Sequence, residues 1–283
     1  MPLPLRTLGQ NGPQVSAIGL GLGSIAGFYG PAGTLDEKVT RLEHAYSTGL
    51  RFWDLADIYG DSEDVVGRWI RRSGKRDDIF LATKFSLQRN PDGKFTFRSD
   101  PDYVKAACEK SLQRLGVDTI DLYYCHRVDG VTPIEKTIEA MVELKKYIRI
   151  VRTCRELNVA IVAFSPIGRG ILTGQFHSHE EIPTGDIRRA LPKLSEGNFP
   201  KILDLLQGLQ GVANSHGSTL AQVALAWLLA QGPDIIPIPG TKSTRRMDEN
   251  AASTYLQLSG QEVQAIRALV KQLEIKGTQY PAE

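Results

Sequence analysis

Four titratable side chains follow directly on short apolar segments of the sequence. Asp54 and Tyr59 lie in D-L-A-D-I-Y-G, Lys84 ends L-A-T-K, and His126 ends L-Y-Y-C-H. Each group can hold or transfer a proton, so the four together could carry acid–base chemistry. Taken singly, each also has an ordinary role: a turn-capping aspartate, a loop tyrosine, a lysine extending out of a strand and a satisfied core histidine. Their recurrence at successive strand ends favours a functional site.

The segments that carry these residues are predicted to be buried strands alternating with amphipathic helices. An apolar run over residues 15–23 is followed by strands predicted over 50–54, 79–84, 120–125, 159–164 and 235–238. Helices are predicted to begin at Thr34, Ser62, Asp100, Thr132, Ser218, Ser243 and Ser259. Capping boxes pair Thr34 with Glu37 and Ser259 with Glu262, and Gly49, Gly74 and Gly116 mark helix ends.

This alternation predicts an α/β fold of the (β/α)8 TIM-barrel type, with parallel strands inside and helices outside. No linker-like change of composition divides the chain, so we expect a single domain over residues 1–283. In such barrels, chemistry is performed at the carboxyl ends of the strands, which is where the four titratable residues lie.

Composition excludes several classes of protein. Lys+Arg 34 against Asp+Glu 32 leave a net charge of +2, which argues against a nucleic-acid or anionic-membrane partner. No apolar run is long enough for a signal peptide or a membrane span, so a cytoplasmic location is expected. Cys108, Cys125 and Cys154 have no C-x-x-C spacing, which suits a reducing compartment, and we interpret them as packing residues.

Two weaker motifs are set aside. Gly21, Gly23 and Ala26 fit G-x-G-x-x-G/A, but the glycines that follow leave no room for the helix that a Rossmann domain needs at that point. His177 and His179 lie beside acidic residues, but nothing nearby completes a set of three or four metal ligands. We therefore expect no metal site.

At this level of detail the sequence resembles the aldo-keto reductases, NADPH-dependent barrel enzymes that reduce aldehydes and ketones. The similarity covers nearly the whole chain, and the branch it most resembles is the microbial and plant group related to potassium-channel beta subunits. The motifs that carry it are R-F-W-D-L-A-D-I-Y-G, T-K-F and H-R-V-D, together with F-S-P-I-G-R-G-I-L-T-G from Phe164 and I-P-I-P-G-T-K-S-T-R-R-M-D-E-N ending at Asn250. The resemblance implies that Asp54, Tyr59, Lys84 and His126 are the catalytic tetrad.

The implied roles suit the chemistry. Hydride delivery to a carbonyl leaves an alkoxide that needs a proton, and a free tyrosine, with a pKa of roughly 10, donates one slowly unless a cation is near. Lys84 would be that cation, and Asp54 would keep the buried ammonium charged by ion pairing. His126 would donate a hydrogen bond to the substrate oxygen. Tyr59 would then be the general acid.

The resemblance also implies a set of NADPH-binding residues. They are Gly23, Ser24, Asp54, Phe164, Ser165, Pro166, Ile167, Gly168, Arg169, Gly170, Leu172, Gly240, Thr241, Lys242, Arg246 and Asn250. Phe164 would stack on the nicotinamide, and the amides of residues 167–170 would hold the pyrophosphate. Lys242 and Arg246 would bind the 2′-phosphate. A plain turn at S-P-I-G-R-G and exposed surface charge at the two cations remain the alternatives.

The sequence departs from the family pattern in its middle. Only six of eight strand-and-helix units are found, because the helix predicted from Thr132 to Tyr147 continues with apolar helical spacing as far as Leu157. Roughly fifty residues, about one strand, helix and strand, are absent, so the fifth and sixth strands and the polar residues they bring to the nicotinamide are missing. A mis-spliced or alternative product, a deletion and a natural six-unit form all explain this, and the first is favoured.

Two functions therefore stay open at this stage. One is a working NADPH-dependent carbonyl reductase acting on a small molecule; the other is an NADP-binding regulatory or inactive relative with little turnover. The sequence does not distinguish one aldehyde or ketone from another, and it does not indicate an oligomeric state.

Overall fold

The computed structural model describes residues 2–9, 12–27, 31–92, 94–144 and 160–278. The α-helices are α1 (Leu35–Ser47), α2 (Ser62–Ser73), α3 (Pro101–Leu115), α4 (Ile134–Glu143), α5 (Phe199–Ser215), α6 (Leu220–Leu229), α7 (Thr244–Ala252) and α8 (Gly260–Gln272). The strands are β1 (Leu5–Thr7), β2 (Gln14–Ser16), β3 (Leu20–Gly21), β4 (Phe52–Asp54), β5 (Phe80–Phe85), β6 (Leu87–Arg89), β7 (Phe95–Phe97), β8 (Leu122–Cys125), β9 (Ile161–Ala163) and β10 (Ile235–Pro237).

The predicted strands form parallel ladders. One ladder runs β3-β4-β5-β8 and another pairs β10 with β9. A bridge between Gly21 and Gly240, and a bond from the Gly19 N–H to the Pro237 oxygen at 2.9 Å, join the two ladders side by side. The order within the described residues is therefore β9-β10-β3-β4-β5-β8, the order that the predicted α/β barrel requires. We refer to the two ends of this order, the flank of β8 away from β5 and the flank of β9 away from β10, as the seam.

Side-chain alternation along the strands separates two apolar layers. Trp53, Leu81 and Phe85 point outward to the helices and belong to the main core, while Phe52 and Ala82 point inward and pack with Ile236 and Ile238. Successive strand residues face opposite sides, so Asp54 and Lys84, which lie two residues beyond inward-facing neighbours, also point inward. The N-terminal hairpin β1–β2 contributes Leu8 and Val15 to the inner layer, beside the start of β4.

Helix capping follows the sequence closely. Thr34 with Glu37 and Ser259 with Glu262 form the predicted boxes. Asp100 caps α3, and Gly74 and Gly116 adopt left-handed conformations where α2 and α3 end. The sixth helix begins after Thr219 rather than Ser218, because the Thr219 hydroxyl accepts the capping bond and Gln222 completes a box.

Three regions differ from the sequence-based expectation. The segment between β5 and α3, where the sequence analysis predicted no strand, contains the hairpin β6–β7, and the helix α5 was not predicted. The helix predicted from Thr132 begins at Ile134 and is observed to Glu143. Its predicted continuation to Leu157, the start of the strand at Val159, and Cys154 lie outside the described residues.

The described part of the chain contains no helix long and apolar enough to cross a membrane. It also contains no group of three or more His, Cys, Asp or Glu side chains arranged to hold a metal ion. Cys108 is a buried free thiol in the main core, and Cys125 is a half-buried free thiol. His177 pairs with Glu181 at 3.4 Å, whereas a ring nitrogen of His179 lies 3.0 Å from the Arg189 oxygen.

Candidate active site

Asp54 and Lys84 form a buried ion pair at the carboxyl ends of adjacent strands. The Lys84 ammonium contacts Asp54 Oδ1 and donates to the Leu55 carbonyl. The side chains are 3% and 12% exposed, respectively. A buried ammonium is stabilised by a counter-charge and a hydrogen-bond acceptor, and Lys84 has both. The structure thus places two of the four predicted catalytic residues, Asp54 and Lys84, in direct contact.

Tyr59 and His126 complete the cluster around this lysine. The Lys84 Nζ lies 5.2 Å from the centroid of the Tyr59 ring. The Tyr59 and His126 rings are 5.9 Å apart at their centroids and meet edge to face at 87°. The predicted tetrad, drawn from positions 54 to 126 of the sequence, therefore lies at one end of the inner sheet face.

Burial and nearby charges shift the pKa values of His126 and Asp54. Burial, then the Lys84 and Arg127 cations, lower the pKa of His126 to about 4, so its imidazole is neutral at neutral pH. A neutral imidazole carries one N–H that can be donated, and the buried His126 Nδ1 has no partner in the described residues. Burial also raises the pKa of the Asp54 carboxyl, against the opposing pull of Lys84. His126 is therefore suited to hydrogen bonding rather than to carrying a charge.

Two loops are fixed behind the tetrad by residues that the sequence analysis did not identify. Ser86 is buried and has a φ of 102°, an unusual conformation for a serine, and its hydroxyl donates to the Arg127 carbonyl beside His126. The Asp129 carboxylate accepts from the amides of Ser99 and Thr132 at 3.0 and 2.7 Å. These bonds hold the loop that follows β8. The H-R-V-D motif signalled Asp129, whereas Ser86 has no local sequence signal.

A third unpredicted residue lies inside the D-L-A-D-I-Y-G motif itself. The Asp57 N–H donates to the Lys84 carbonyl at 3.0 Å, and the Tyr103 hydroxyl donates to its carboxylate at 3.4 Å. Burial, then the neighbouring Glu63, raise the pKa of Asp57 to about 7. Its Oδ1 is buried without a partner in the described residues. Asp57 thus ties the peptide before Tyr59 to β5.

The glycine-rich start of the sheet is a place of close backbone approach. A Cβ on Gly21 would lie 2.8 Å from the Ile238 oxygen, and one on Gly240 would lie 2.9 Å from the Gly21 oxygen. A Cβ on Gly23 would touch the Tyr59 ring at 3.4 Å. Side chains larger than glycine would push these segments apart or displace the tyrosine.

Ser24 lies in the same place and has an unsatisfied hydroxyl. Its Oγ is buried with no partner in the described residues, 3.5 Å from the position of a Cβ on Gly240. An unsatisfied buried hydroxyl costs free energy unless a ligand completes it. The structure therefore brings two predicted cofactor residues that are distant in the sequence, Ser24 and Gly240, close together, and the Ser24 hydroxyl has no partner in the described residues.

The segment after β9 has the conformation of an irregular turn. Ser165 and Arg169 have φ values of 49° and 57°, and with Ser86 they are the non-glycine residues of the described chain with positive φ. The N–H groups of Gly168 and Gly170 donate to the Ser165 and Ile167 oxygens. Those two amides, which the sequence analysis assigned to the pyrophosphate, are thus engaged within the turn. Strained backbone of this kind is concentrated at functional sites.

The remaining predicted cofactor residues differ in exposure. Phe164 is 56% exposed at the end of β9, so its ring is open to a stacking partner. Thr241 and Asn250 are buried, and Lys242 is half-buried. Arg246 is exposed, and its backbone N–H donates to the Ser243 hydroxyl that caps α7. Pro166 and Leu172 are half-buried, and Ile167 packs on the main core.

Comparison with known proteins gives a consistent result. The model of the Aldo/keto reductase family matches residues 17–150 and 146–271. The two matches meet at the point in the sequence where the family's fifth and sixth units are expected and not found. The family match therefore breaks near the place where the sequence analysis expects the missing units.

Among similar proteins, an aldo-keto reductase of Strobilurus tenacellus is 44% identical over 325 aligned positions, covering 98% of this chain and 95% of that protein. An aldo-keto reductase of Schizosaccharomyces pombe, whose name specifies NADP(+), is 37% identical and covers 99% of this chain and 95% of its own length. Both alignments are longer than the 283 residues of this chain, so both relatives carry residues that it lacks.

A structural likeness supports the fold. The glycerol dehydrogenase of Gluconobacter oxydans superposes with a TM-score of 0.82 at 24% identity and covers 97% of each chain. The arrangement of parallel strands and outer helices described above is therefore the arrangement of a known (β/α)8 barrel fold.

Proposed function

This chain belongs to the aldo/keto reductase family, and from that premise we propose that it reduces an aldehyde or ketone to the alcohol with NADPH, with Tyr59 as general acid. The observation that carries the proposal is the buried Lys84–Asp54 pair directly beneath the Tyr59 ring, with a neutral His126 against the same ring. Family membership supports an oxidoreductase acting on small carbonyl compounds. The assignment of roles to individual residues is our proposal.

The proposed chemistry uses each side chain for one task. His126 donates its N–H to the carbonyl oxygen and orients it. Lys84, held charged by Asp54, favours the ionised form of the nearby tyrosine and so makes Tyr59 a better proton donor. Tyr59 gives its proton to the developing alkoxide, completing the alcohol. NADPH, when bound, supplies the hydride.

The residues present fit such a cofactor. Ser24 offers an unsatisfied buried hydroxyl at the point where the backbones of Gly21 and Gly240 approach each other closely. Phe164 offers an open ring for the nicotinamide, and Lys242 with Arg246 supplies positive charge for the phosphates. The name of the Schizosaccharomyces pombe relative, which specifies NADP(+), supports the choice of nucleotide. We also propose a cytoplasmic location, since free thiols at Cys108 and Cys125 suit a reducing compartment.

The test is oxidation of NADPH by purified protein with a panel of aromatic and aliphatic aldehydes, followed at the nicotinamide absorbance. We expect turnover that depends on both aldehyde and NADPH. NADPH binding without turnover on any aldehyde or ketone would instead identify an NADP-binding regulatory or inactive relative. A protein that neither binds nor oxidises NADPH would overturn the proposal as a whole.

A further inference from the structure

Two cations from distant parts of the sequence donate to neighbouring backbone carbonyls in the segment before α1. The Lys242 Nζ donates to the Pro31 carbonyl at 2.9 Å, and Arg41 Nη1 donates to the Ala32 carbonyl at 2.9 Å. Because these carbonyls belong to consecutive residues, the ammonium that precedes α7 and the guanidinium of α1 are held side by side. Both side chains line the same surface cleft.

The guanidinium of Arg41 is held in place by packing. Its side chain is 20% exposed, and a Cβ on Gly33, where φ is 83°, would lie 3.1 and 3.2 Å from its terminal nitrogens. Glu37 Oε2 lies 3.9 Å from Arg41 Nη2 but also accepts the Thr34 N–H at 2.8 Å. That carboxylate is shared with the helix cap, so it neutralises Arg41 only in part.

A third cation, Arg188, lies beyond the irregular turn after β9 in the sequence and is hydrogen-bonded to it. Arg188 donates to Asp186 at 3.0 and 2.6 Å and to the Arg169 carbonyl at 3.1 Å, which ties it to the candidate phosphate segment. Burial lowers the pKa of Lys242, and the nearby Arg41 and Arg188 cations lower it further against the pull of Asp186. The ammonium is thus in a field with surplus positive charge, which a bound anion would relieve.

We propose that Arg41 is a specificity-determining residue that recognises, together with Lys242, a phosphate monoester on the ribose of the nucleotide. This inference rests on the proposed function, because it takes NADPH as the ligand and assigns it a contact from α1. Among the described residues, the charged side chains that line the cleft are the cations Arg41 and Lys242 and the exposed carboxylates Asp36 and Glu37, and Arg246 does not line it. Paired cationic donors fit a doubly charged phosphate, and the NAD-type nucleotides lack that group.

The experiment compares the binding of 2′,5′-ADP and 5′-AMP, which differ only in the 2′-phosphate, by calorimetry. The unmodified protein is expected to bind 2′,5′-ADP at least tenfold more tightly. Arg41→Gln, which keeps a hydrogen-bond donor for the Ala32 carbonyl, should lose most of that preference and leave 5′-AMP binding unchanged. Arg68→Gln is the matched control, because it removes the same charge from an exposed arginine of α2, 4.0 Å from Asp36.

Salt dependence and melting temperature separate charge from folding. Raising the salt concentration should weaken 2′,5′-ADP binding more in the unmodified protein than in Arg41→Gln. Arg41→Lys, which keeps the charge, should retain much of the preference even if Arg41→Gln melts earlier. An unchanged preference in a folded Arg41→Gln, or equal losses in Arg41→Gln and Arg68→Gln, would overturn the inference.

Failure of the reductase proposal would look different. A chain that prefers 2′,5′-ADP through Arg41 but reduces no carbonyl compound would refute the proposed activity and leave this inference standing. A chain that reduces aldehydes equally well with NADPH and NADH, and that shows no preference for 2′,5′-ADP, would refute the inference alone.

Discussion

Two flanks of the barrel present the same kind of helix in opposite environments. On α2, Val65, Val66 and Trp69 are each 1% exposed against the main core. On α4, beside the seam, Ile134 and Ile138 are 45% and 47% exposed, although their spacing is just as helical. Apolar periodicity therefore predicts that each helix has an apolar face. Whether that face is buried depends on whether another element of the fold packs against it.

The same contrast divides the functional site. The tetrad lies on β4, β5, β8 and the loops that follow them, where the ladder is continuous and the backs of the strands are buried. Phe164, the proposed partner of the nicotinamide, follows β9 at the seam and is 56% exposed. The half of the site with the four candidate catalytic residues is thus supported from behind, while the half expected to hold the nicotinamide ring is open.

The largest expected effect tests the supported flank. Tyr59→Phe should lower kcat by about 10²- to 10⁴-fold and leave the Kd for NADPH nearly unchanged, because the hydroxyl acts on the proton and the remaining ring still packs against Gly23 and His126. Steady-state rates and a fluorescence titration measure the two quantities. Tyr255→Phe, at a remote exposed tyrosine, is the control. Comparable turnover in Tyr59→Phe would show that another group is the acid.

The next prediction concerns the seam and the units expected between β8 and β9. Inserting a family-like fifth and sixth unit after Lys146 should raise turnover by orders of magnitude, because a hydride donor held in near-attack geometry can supply roughly 7 to 11 kcal/mol of a barrier. The paired measurements are aldehyde reduction, melting temperature and oligomeric state. If both chains are monomeric, melt alike and react equally fast, six units suffice and the contrast between the flanks has no functional meaning.

A third prediction concerns Asp57, on the supported flank. Its pKa of about 7 exceeds the ordinary 3.8, because it is buried and faces Glu63 of α2 while Tyr103 and Lys110 of α3 give only partial compensation. Between pH 4 and pH 7 the unfolded chain releases this proton and the folded chain retains it. The free energy of unfolding should therefore fall over that range by about 2 to 4 kcal/mol from this group, and level off above it.

Asp57→Asn should remove that fall. The measurement is urea unfolding of both proteins at intervals from pH 4 to pH 8, and the difference in unfolding free energy should grow with pH in favour of the variant. Asp102→Asn, at an exposed position of α3, serves as the control. Parallel pH profiles for Asp57→Asn and the unmodified protein would contradict the assignment.

The smallest expected effect on stability lies at the seam. We expect the exposed apolar side chains of α4 to promote self-association of the chain. Replacing Ile138 and Val142, 47% and 49% exposed on α4, with serine should weaken that association and change the unfolding free energy by no more than about 0.5 kcal/mol per exposed site. Sedimentation velocity over a range of concentrations tests the first part. Val270→Ser, at an exposed position of α8, is the control. Association that persists in the double variant would show that the exposed face of α4 is not its cause.

Helix ends were predictable from the sequence where all the residues that form the cap lie in one short segment. The Thr34–Glu37 and Ser259–Glu262 capping boxes and the end of α3 at Gly116 required only nearby residues, and all three are observed. The β6–β7 hairpin was missed because polar residues and a proline hide a short antiparallel pairing. Arg41 and Ser86 were missed because their partners, Ala32 on a loop and Arg127 on a different strand end, give no pattern at fixed spacing.

The sequence by itself determined the order of the strands in the two parallel ladders and the α-helices of the described residues except α5. It also determined that four titratable residues follow successive strands, and where the family pattern is interrupted. Each of these depends on residue type and local periodicity, which the chain carries before it folds. Only the tertiary structure decided that the pKa of Asp57 is raised, that Arg41 lies beside Lys242, and that apolar side chains of α4 are exposed. Burial, charge–charge distance and desolvation depend on which distant segments pack together, and no local pattern encodes that.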